Sequence, residues 1–372
     1  MIKFVFVNER QTINNSIILK LMKVLKKILL TLAAIVLLML LFLSGIIIYA
    51  LISDYKPEEK TEIFSVSNPA ILSDTLVINL MTWNIGYCGL DKNMDFFYDG
   101  GTKVATPEDQ CLENLSAIKK FITGNDTIDF FLIQEIDRNS KRSYHMDEFD
   151  TIGRLLTDYH PLFAKNYDVF FVPVPPTDPM GKVLSGIALF SKFQPASSFR
   201  YQFPGEYSFP TQLFMLDRCF MVNRYPLENG KELLVINTHN EAFDPGEIRK
   251  AQMVYLKEFL LSEYAKGNYI IAGGDWNMSP PDFRPEFTGN KLNTGQMMME
   301  PGFMPPEWVW VYDNKKPSNR SVVAAYDPET TTTTLIDLFL LSPNMKLISA
   351  ECIDLNFENS DHNPVRIKVG LK

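Results

Sequence analysis

The chain has 372 residues, of which 46% are hydrophobic and 22% charged, with a formal net charge of −8 and four cysteines. It is too apolar for a disordered chain, and its acidic balance lacks the electrostatic footprint by which proteins hold nucleic-acid backbones. Cys88, Cys111, Cys219 and Cys352 are too dispersed for a disulfide framework, which leaves buried free thiols or a bridge formed after export.

The first element is apolar throughout. No charged residue stands between Ile28 and Ser53, so 28–53 reads as a transmembrane helix. Lys20, Lys23, Lys26 and Lys27 precede it, while Asp54, Glu58 and Glu59 follow. By the positive-inside rule, 1–27 is a short basic cytoplasmic terminus of a single-pass protein of the cell membrane, with the large domain that follows on the extracytoplasmic side. A cleaved signal peptide is the alternative; the run exceeds a typical signal core and YALIS offers no small-x-small cleavage site, which favours an uncleaved signal anchor. Met22, followed by KVLKK, would also serve as a start, making 1–21 a candidate upstream extension.

Residues 54–75 read as a polar linker and 76–372 as one globular domain, near the upper size for a single core. Beyond residue 53 the chain carries 30 Lys and Arg against 43 Asp and Glu, about −13. Helical patterns appear at 107–123, 147–159 and 245–265, with Pro107 and Pro245 suited to first turns and acidic residues following them. Strands grouped with such helices predict an α/β sandwich of two packed sheets with helices outside.

Six apolar-to-polar junctions carry the chemistry: LMTWNIG at 80–86, FFLIQEID at 130–137, LLVINTHN at 233–240, YIIAGGDWN at 269–277, LIDLFLLS at 335–342 and SDHNPVRI at 360–367. A buried strand that meets solvent at a polar residue presents it from a rigid platform. These platforms present Asn84, Glu135, His239, Asp275, Asn277, Asp337, Asp361 and His362. Carboxylates, amides and imidazoles of this kind can hold a hard cation, orient water and protonate a leaving group. Oxygen ligands point to magnesium, with manganese or calcium as alternatives, and no Cys or His pair has zinc-ligand spacing. Taken singly, Asn84 could be a turn former and Asp275 a cap. His145 and His160 lie outside the junctions and read as ordinary residues.

The segments TWNIG, QEID, NTHN, GDWN, IDLFLLSP and SDHNPV, in that order, resemble the endonuclease/exonuclease/phosphatase superfamily, which includes deoxyribonucleases, neutral sphingomyelinases and inositol polyphosphate 5-phosphatases. The resemblance implies a four-layer α-β-β-α sandwich of two packed mixed sheets, here with an N-terminal transmembrane helix. It implies Glu135 as principal metal ligand, Asn84 beside it, and Asp361 as a candidate to complete the shell. His239 would donate to a phosphoryl oxygen or leaving group, Asp275 and Asn277 would position and deprotonate water and bind phosphate, and Asp337 would orient His362. SGIALFSK at 185–192 resembles a central strand motif of architectural type.

These roles predict a metal-dependent hydrolase that attacks a phosphodiester or phosphomonoester in line with water. The acidic balance favours a small-molecule or lipid head-group substrate, with a nuclease or a catalytically silent phospho-ligand or protein binder as alternatives. Arg218 is a further candidate for phosphate, its other reading being a salt bridge to Asp217 or another surface carboxylate. Arg320 is a weaker candidate for the same role, since it lies in a polar stretch where a solvated charge is the default. Residues 279–334 are expected to set selectivity. There Trp308, Trp310 and Met297–Met299 are read as packing onto the sandwich rather than touching lipid, and the threonine run at 330–334 as leading into a strand that ends at Asp337.

Overall fold

The computed structural model describes residues 2–287, 291–292 and 295–372; Met1, and 288–290 and 293–294 of the expected selectivity segment, lie outside the described residues. Two compact units result, Met1–Ser53 and Asp54–Lys372. The first is one helix, α1 (Ile2–Ser53), of which Ile17–Ser53 is long and apolar enough to cross a membrane. The helix therefore starts well before residue 28 and includes the four lysines of the basic flank.

In the second unit two sheets stack face to face. The seven-stranded sheet contains β1 (Lys60–Ser65), β6 (Ser197–Gln202), β7 (Cys219–Pro226), β8 (Glu232–His239), β9 (Tyr269–Asp275), β14 (Asp337–Leu341) and β11 (Val309–Val311), in that order. The six-stranded sheet runs β15 (Met345–Cys352), β16 (Val365–Leu371), β2 (Val77–Asn84), β3 (Phe130–Asp137), β5 (Gly181–Ser191) and β4 (His160–Val172). A small third sheet joins β10 (Lys291–Leu292), β13 (Thr332–Thr334) and β12 (Asn319–Arg320).

Each large sheet contains one parallel pair, and each pair is connected through a helix. The β2–β3 pair is bridged by α2 (Glu108–Thr123), and β8–β9 by α4 (Glu247–Ala265). A parallel pair requires such a crossover, and the helix covers the outer face of its own sheet. The side chains sort accordingly. Along β8, Leu233 and Val235 enter the layer between the sheets, whereas Leu234 and Ile236 pack under α4 with Met253, Leu256 and Leu260. Along β3, Phe130 and Leu132 face inward and Phe131 and Ile133 pack beneath α2 with Leu115 and Ile118. The four-layer sandwich is thereby built as expected.

Several boundaries differ from expectation. Residues 60–65, placed in the linker, form edge strand β1, paired antiparallel with β6, and Leu72 is buried in the inter-sheet core. Only Ile63 and Phe64 are apolar in KTEIFS, and they are adjacent, so no alternation separates this edge strand from a linker. β1 begins at the same sheet edge at which β8 ends, and the Gln202 amide donates to the Glu59 carbonyl there. The helix expected at 147–159 is confined to α3 (Glu148–Gly153), started by the Asp147 side chain accepting from the Asp150 amide. The threonine run forms β13, and Asp337 opens β14 instead of closing a strand. All four cysteines are free and buried. Trp308 and Met299 are buried beneath α4's side of the sandwich with Trp310 and Met297 packed against them, while Met298 is exposed.

Gly273 and Gly274 close β9 for different reasons. A Cβ at Gly273 would sit 2.3 Å from the Phe339 ring, whereas Gly274 has φ +149° and a Cβ there would sit 2.0 Å from the Thr238 carbonyl oxygen. A ring can turn, but a paired backbone cannot. We expect Gly274→Ala to cost about 3 kcal/mol or more and Gly273→Ala less. Denaturation midpoints of the full chain in detergent check this, and the reverse order would refute it.

Candidate active site

The polar junction residues meet at one edge of the sandwich because of strand direction. Asn84, His239 and Asp275 end the strands of the two parallel pairs and Glu135 lies near the end of β3; Asp337 opens β14, antiparallel to β9, and Asp361 and His362 precede β16, antiparallel to β2. Ligand groups at the carboxyl ends of parallel strands follow a general rule of α/β sheets. In register, Asp275 is flanked by His239 on one side and Asp337 on the other.

Glu135 reaches the site through a bulge. The β3–β5 register slips by one residue between Ile133 and Ile136, and Glu135 takes φ 50°. Asn277 is also left-handed, at φ 51°. Such conformations of non-glycine residues cost on the order of 1 kcal/mol each and persist only where surrounding bonds hold them. Beneath the bulge lies a buried amide network. Gln134 Nε2 donates to Asn237 Oδ1 at 2.7 Å, and Asn237 Nδ2 donates to the carbonyls of Ile133 at 3.0 Å and Ala188 at 2.8 Å. Asn237 belongs to one sheet and its three partners to the other.

A cleft of about 350 Å³ opens above this floor, lined by Glu135, His239, Asp275, Asn277, Asp361 and His362 among others. Asn84 and Asp337 stand behind the wall. Asn84 Nδ2 donates to Glu135 Oε1 and Asp275 Oδ2, both at 3.0 Å, while its oxygen accepts from the Gly86 amide. The expected ligand therefore turns its nitrogen to the carboxylates and fixes their spacing across the two sheets. His239 Nε2 lies 3.8 Å from Glu135 and 3.5 Å from Asp275. Those carboxylates favour an imidazolium, yet burial first, and then the cations Arg218, His362 and Arg142, hold His239 well below the usual range and neutral.

The second imidazole is the opposite case. Burial works against its charge, but Asp337 and Asp361 outweigh it and hold His362 well above the usual range. Its Nδ1 pairs with Asp337 Oδ2 at 2.8 Å, and the Ser318 hydroxyl donates to the same oxygen at 2.7 Å. Nε2 faces Asn319 Nδ2 at 3.0 Å, so a proton on that nitrogen requires the Asn319 amide to present its oxygen. Burial, against the pull of His362 and aided by Glu135, pushes Asp361 up to about 7. Burial likewise raises Asp275, with His362 opposing and Asp337 adding.

The buried Oδ1 atoms of Asp361 and Asp337 have no hydrogen-bond partner among the described residues. Buried carboxylate oxygens without donors suit a hard cation, so the donor set fits one. Asp275, Asp337 and His362 bring one ligand atom each within 4.8 Å of one another. His362 and Asp337 already bond each other, whereas Glu135 and Asp361 line the cleft with oxygens that could hold a cation.

The surface readings of both arginines need correction. Arg218 is 3% exposed, and its ionic neighbour is the buried Glu241 at 3.7 Å, not Asp217. Arg320, expected in solvent, is 1% exposed, with its guanidinium donating to the Asp91 and Ser321 carbonyls. Arg142 and Asn166 also line the cleft and were not anticipated. No periodic signal marks either, since Arg142 sits in a polar turn and Asn166 in a bulge of β4. Gln134 and Asn237 did carry a signal, an amide inside an apolar run, which demands a buried partner.

A profile of the endonuclease/exonuclease/phosphatase family matches residues 81–362. No curated protein matches the chain. Among solved structures, an endonuclease/exonuclease/phosphatase from Beutenbergia cavernae DSM 12333 is similar at 16% identity and TM-score 0.52, over 79% of this chain and 72% of that one. The catalytic domain of human Nocturnin with bound sulfate is similar at 16% identity and TM-score 0.51, over 82% and 100%. ANGEL2, a 2′,3′-cyclic phosphatase in complex with adenosine-2′,3′-vanadate, is similar at 16% identity and TM-score 0.52, over 85% and 99%. At this identity the likeness shows the fold.

Removing Asn237 would strip three buried bonds and release the bulge that sets Glu135. We expect Asn237→Leu to lose about 3 kcal/mol or more, read from thermal unfolding. A stability within about 1 kcal/mol of wild type would mean the network is dispensable.

Proposed function

The chain belongs to the endonuclease/exonuclease/phosphatase family, and on that premise we propose that it is a divalent-metal-dependent phosphoesterase acting on a small-molecule phosphoester. The observation that carries this reading is the meeting of Glu135, His239, Asp275, Asp361 and His362 in one cleft, with Asp361 Oδ1 left unpaired. Glu135 and Asp361 would hold the cation, with Asn84 setting the spacing of Glu135 and Asp275. Magnesium suits this oxygen set, and manganese or calcium would also fit. When bound, the cation neutralises charge that builds on the phosphoryl oxygens.

The chain's own groups supply the rest. Asp275 accepts from the Asn277 amide at Oδ1 and from Asn84 at Oδ2, which orients it to take a proton from the attacking water. Its raised proton affinity makes it a better base than a solvated carboxylate. His239 and Asn277 bear on the phosphoryl group, and the charged His362, held by Asp337, supplies a proton or a fixed positive charge to the leaving oxygen. Asp337 acts as a positioning residue, since it stands behind the cleft wall.

Stripping divalent ions with EDTA is expected to abolish hydrolysis and added Mg²⁺ to restore it. Glu135→Gln, Asp275→Asn and His239→Ala are each expected to lower kcat by about 10² or more. The panel comprises sugar phosphates, inositol phosphates, sphingomyelin, glycerophospholipids, and single- and double-stranded DNA. Equal background rates in wild type and variants across it would leave only a silent phospho-ligand or protein binder. Rapid DNA cleavage at physiological salt would establish the nuclease alternative.

The apolar helix supports a signal anchor that keeps the protein in the cell membrane with the catalytic domain outside. Alkaline carbonate is expected to leave the full chain in the membrane fraction, and external protease to digest the domain in intact cells. A mature amino terminus near residue 55 would instead identify a cleaved signal sequence.

A further inference from the structure

The cleft's unpaired buried atoms are spread among several side chains, with Asp361 Oδ1, His239 Nδ1 and Arg320 Nε among them. Three further donors stand on two residues alone, Arg218 and Asn166. Arg218 Nε and Nη1 and Asn166 Nδ2 are buried without acceptors among the described residues, in side chains 3% and 2% exposed, and both residues line the cleft. A buried donor with no acceptor keeps its desolvation penalty uncompensated, so three together point to a ligand oxygen group that completes them.

Their convergence follows from the backbone. Asn166 is the extra residue of the β4 bulge between Lys165 and Tyr167, and the Lys165 carbonyl contacts Cys219 Sγ at 3.9 Å, next to Arg218. The Tyr167 ring lies 5.9 Å from the Arg142 guanidinium, and both Arg142 and Arg218 act electrostatically on its hydroxyl. Arg142 is neutralised by a bidentate pair with Asp137. Arg218 is not comparably neutralised. Its neighbour Glu241 directs Oε1 to the Ala242 and Phe243 amides and the Tyr207 hydroxyl, with Oε2 left 3.7 Å from the guanidinium.

The geometry points to a second anion subsite, formed by Arg218 and Asn166, that receives a phosphate group the substrate carries in addition to its scissile ester. This rests on the phosphoesterase reading above and moves Arg218 from the scissile group to specificity. A guanidinium fork and an amide offer donors to several oxygens at once, the pattern that suits a phosphoryl group.

Two measurements on the full chain in detergent test it. In EDTA, where the carboxylate centre repels anions, inorganic phosphate is expected to raise Tm by a few degrees in wild type, and Arg218→Gln and Asn166→Ala to lose that rise. The milder Asn166→Ala removes one amide and leaves the Glu241 neighbourhood intact. Equal rises in all three proteins, or none in wild type, would overturn the subsite without touching the hydrolase reading.

With Mg²⁺, kcat/KM is compared within matched pairs: fructose 6-phosphate against fructose 1,6-bisphosphate, and uridine 2′,3′-cyclic phosphate with and without a 5′-phosphate. Wild type is expected to favour the doubly anionic member of the pair it hydrolyses by about tenfold or more, and each variant to collapse that ratio through KM. Equal losses on both members would place Arg218 on the scissile group and refute the inference. No hydrolysis of any compound, together with EDTA-insensitive background, would fail the parent reading while the phosphate-binding result stands separately.

Discussion

Two apolar sheets packed face to face have little to stop them sliding, because dispersion and burial are nearly indifferent to small shifts. The buried amide pair of Gln134 and Asn237 removes that freedom. Its bonds are directional and join β8 to the carbonyls of β3 and β5 in the opposite sheet. A shift of about 1 Å would break several and leave polar groups dry. The site residues come from both sheets, so their distances inherit this register. Asn84 continues the linkage one layer up by bonding Glu135 of one sheet and Asp275 of the other.

The electrostatics follow from the same convergence. Bringing carboxylates, two imidazoles and three arginines out of water forces neighbours into opposite protonation states. His239, whose charge is disfavoured first by burial and then by Arg218, His362 and Arg142, stays neutral, whereas His362, held by Asp337 and near Asp361 and Asp275, stays charged. Two histidines of one type thus acquire different capacities, one able to accept a hydrogen bond in its neutral form and one able to donate at both nitrogens. The acidic domain surface and the basic inner wall are compatible because the arginines are buried and add little to the outside.

The sandwich and most of the site were legible in the sequence because each junction pairs a run of large apolar residues with a polar group in a short window. That signal is local, and it places Asn84, Glu135, His239 and Asp275 at strand ends before any tertiary contact is known. Asp337 was placed at the wrong end of its strand, since apolar residues lie on both sides of it and direction is set by pairing with β9. Arg142, Arg320 and Asn166 were illegible for a different reason. A bulge or irregular loop breaks the period on which burial is inferred, and an arginine in a polar stretch reads as solvated until the fold closes around it. The short α3 shows the converse, a helical pattern cut off at Gly153.

Strand β1 flanks β6 and lies three strands, about 14 Å, from the strand bearing His239. Its pairing occupies the backbone groups on that side of β6, so a second extended segment finds no partner there. The outermost strand is then six residues long and interrupted between Glu62 and Phe64, a poor template for edge-to-edge pairing between copies of the domain.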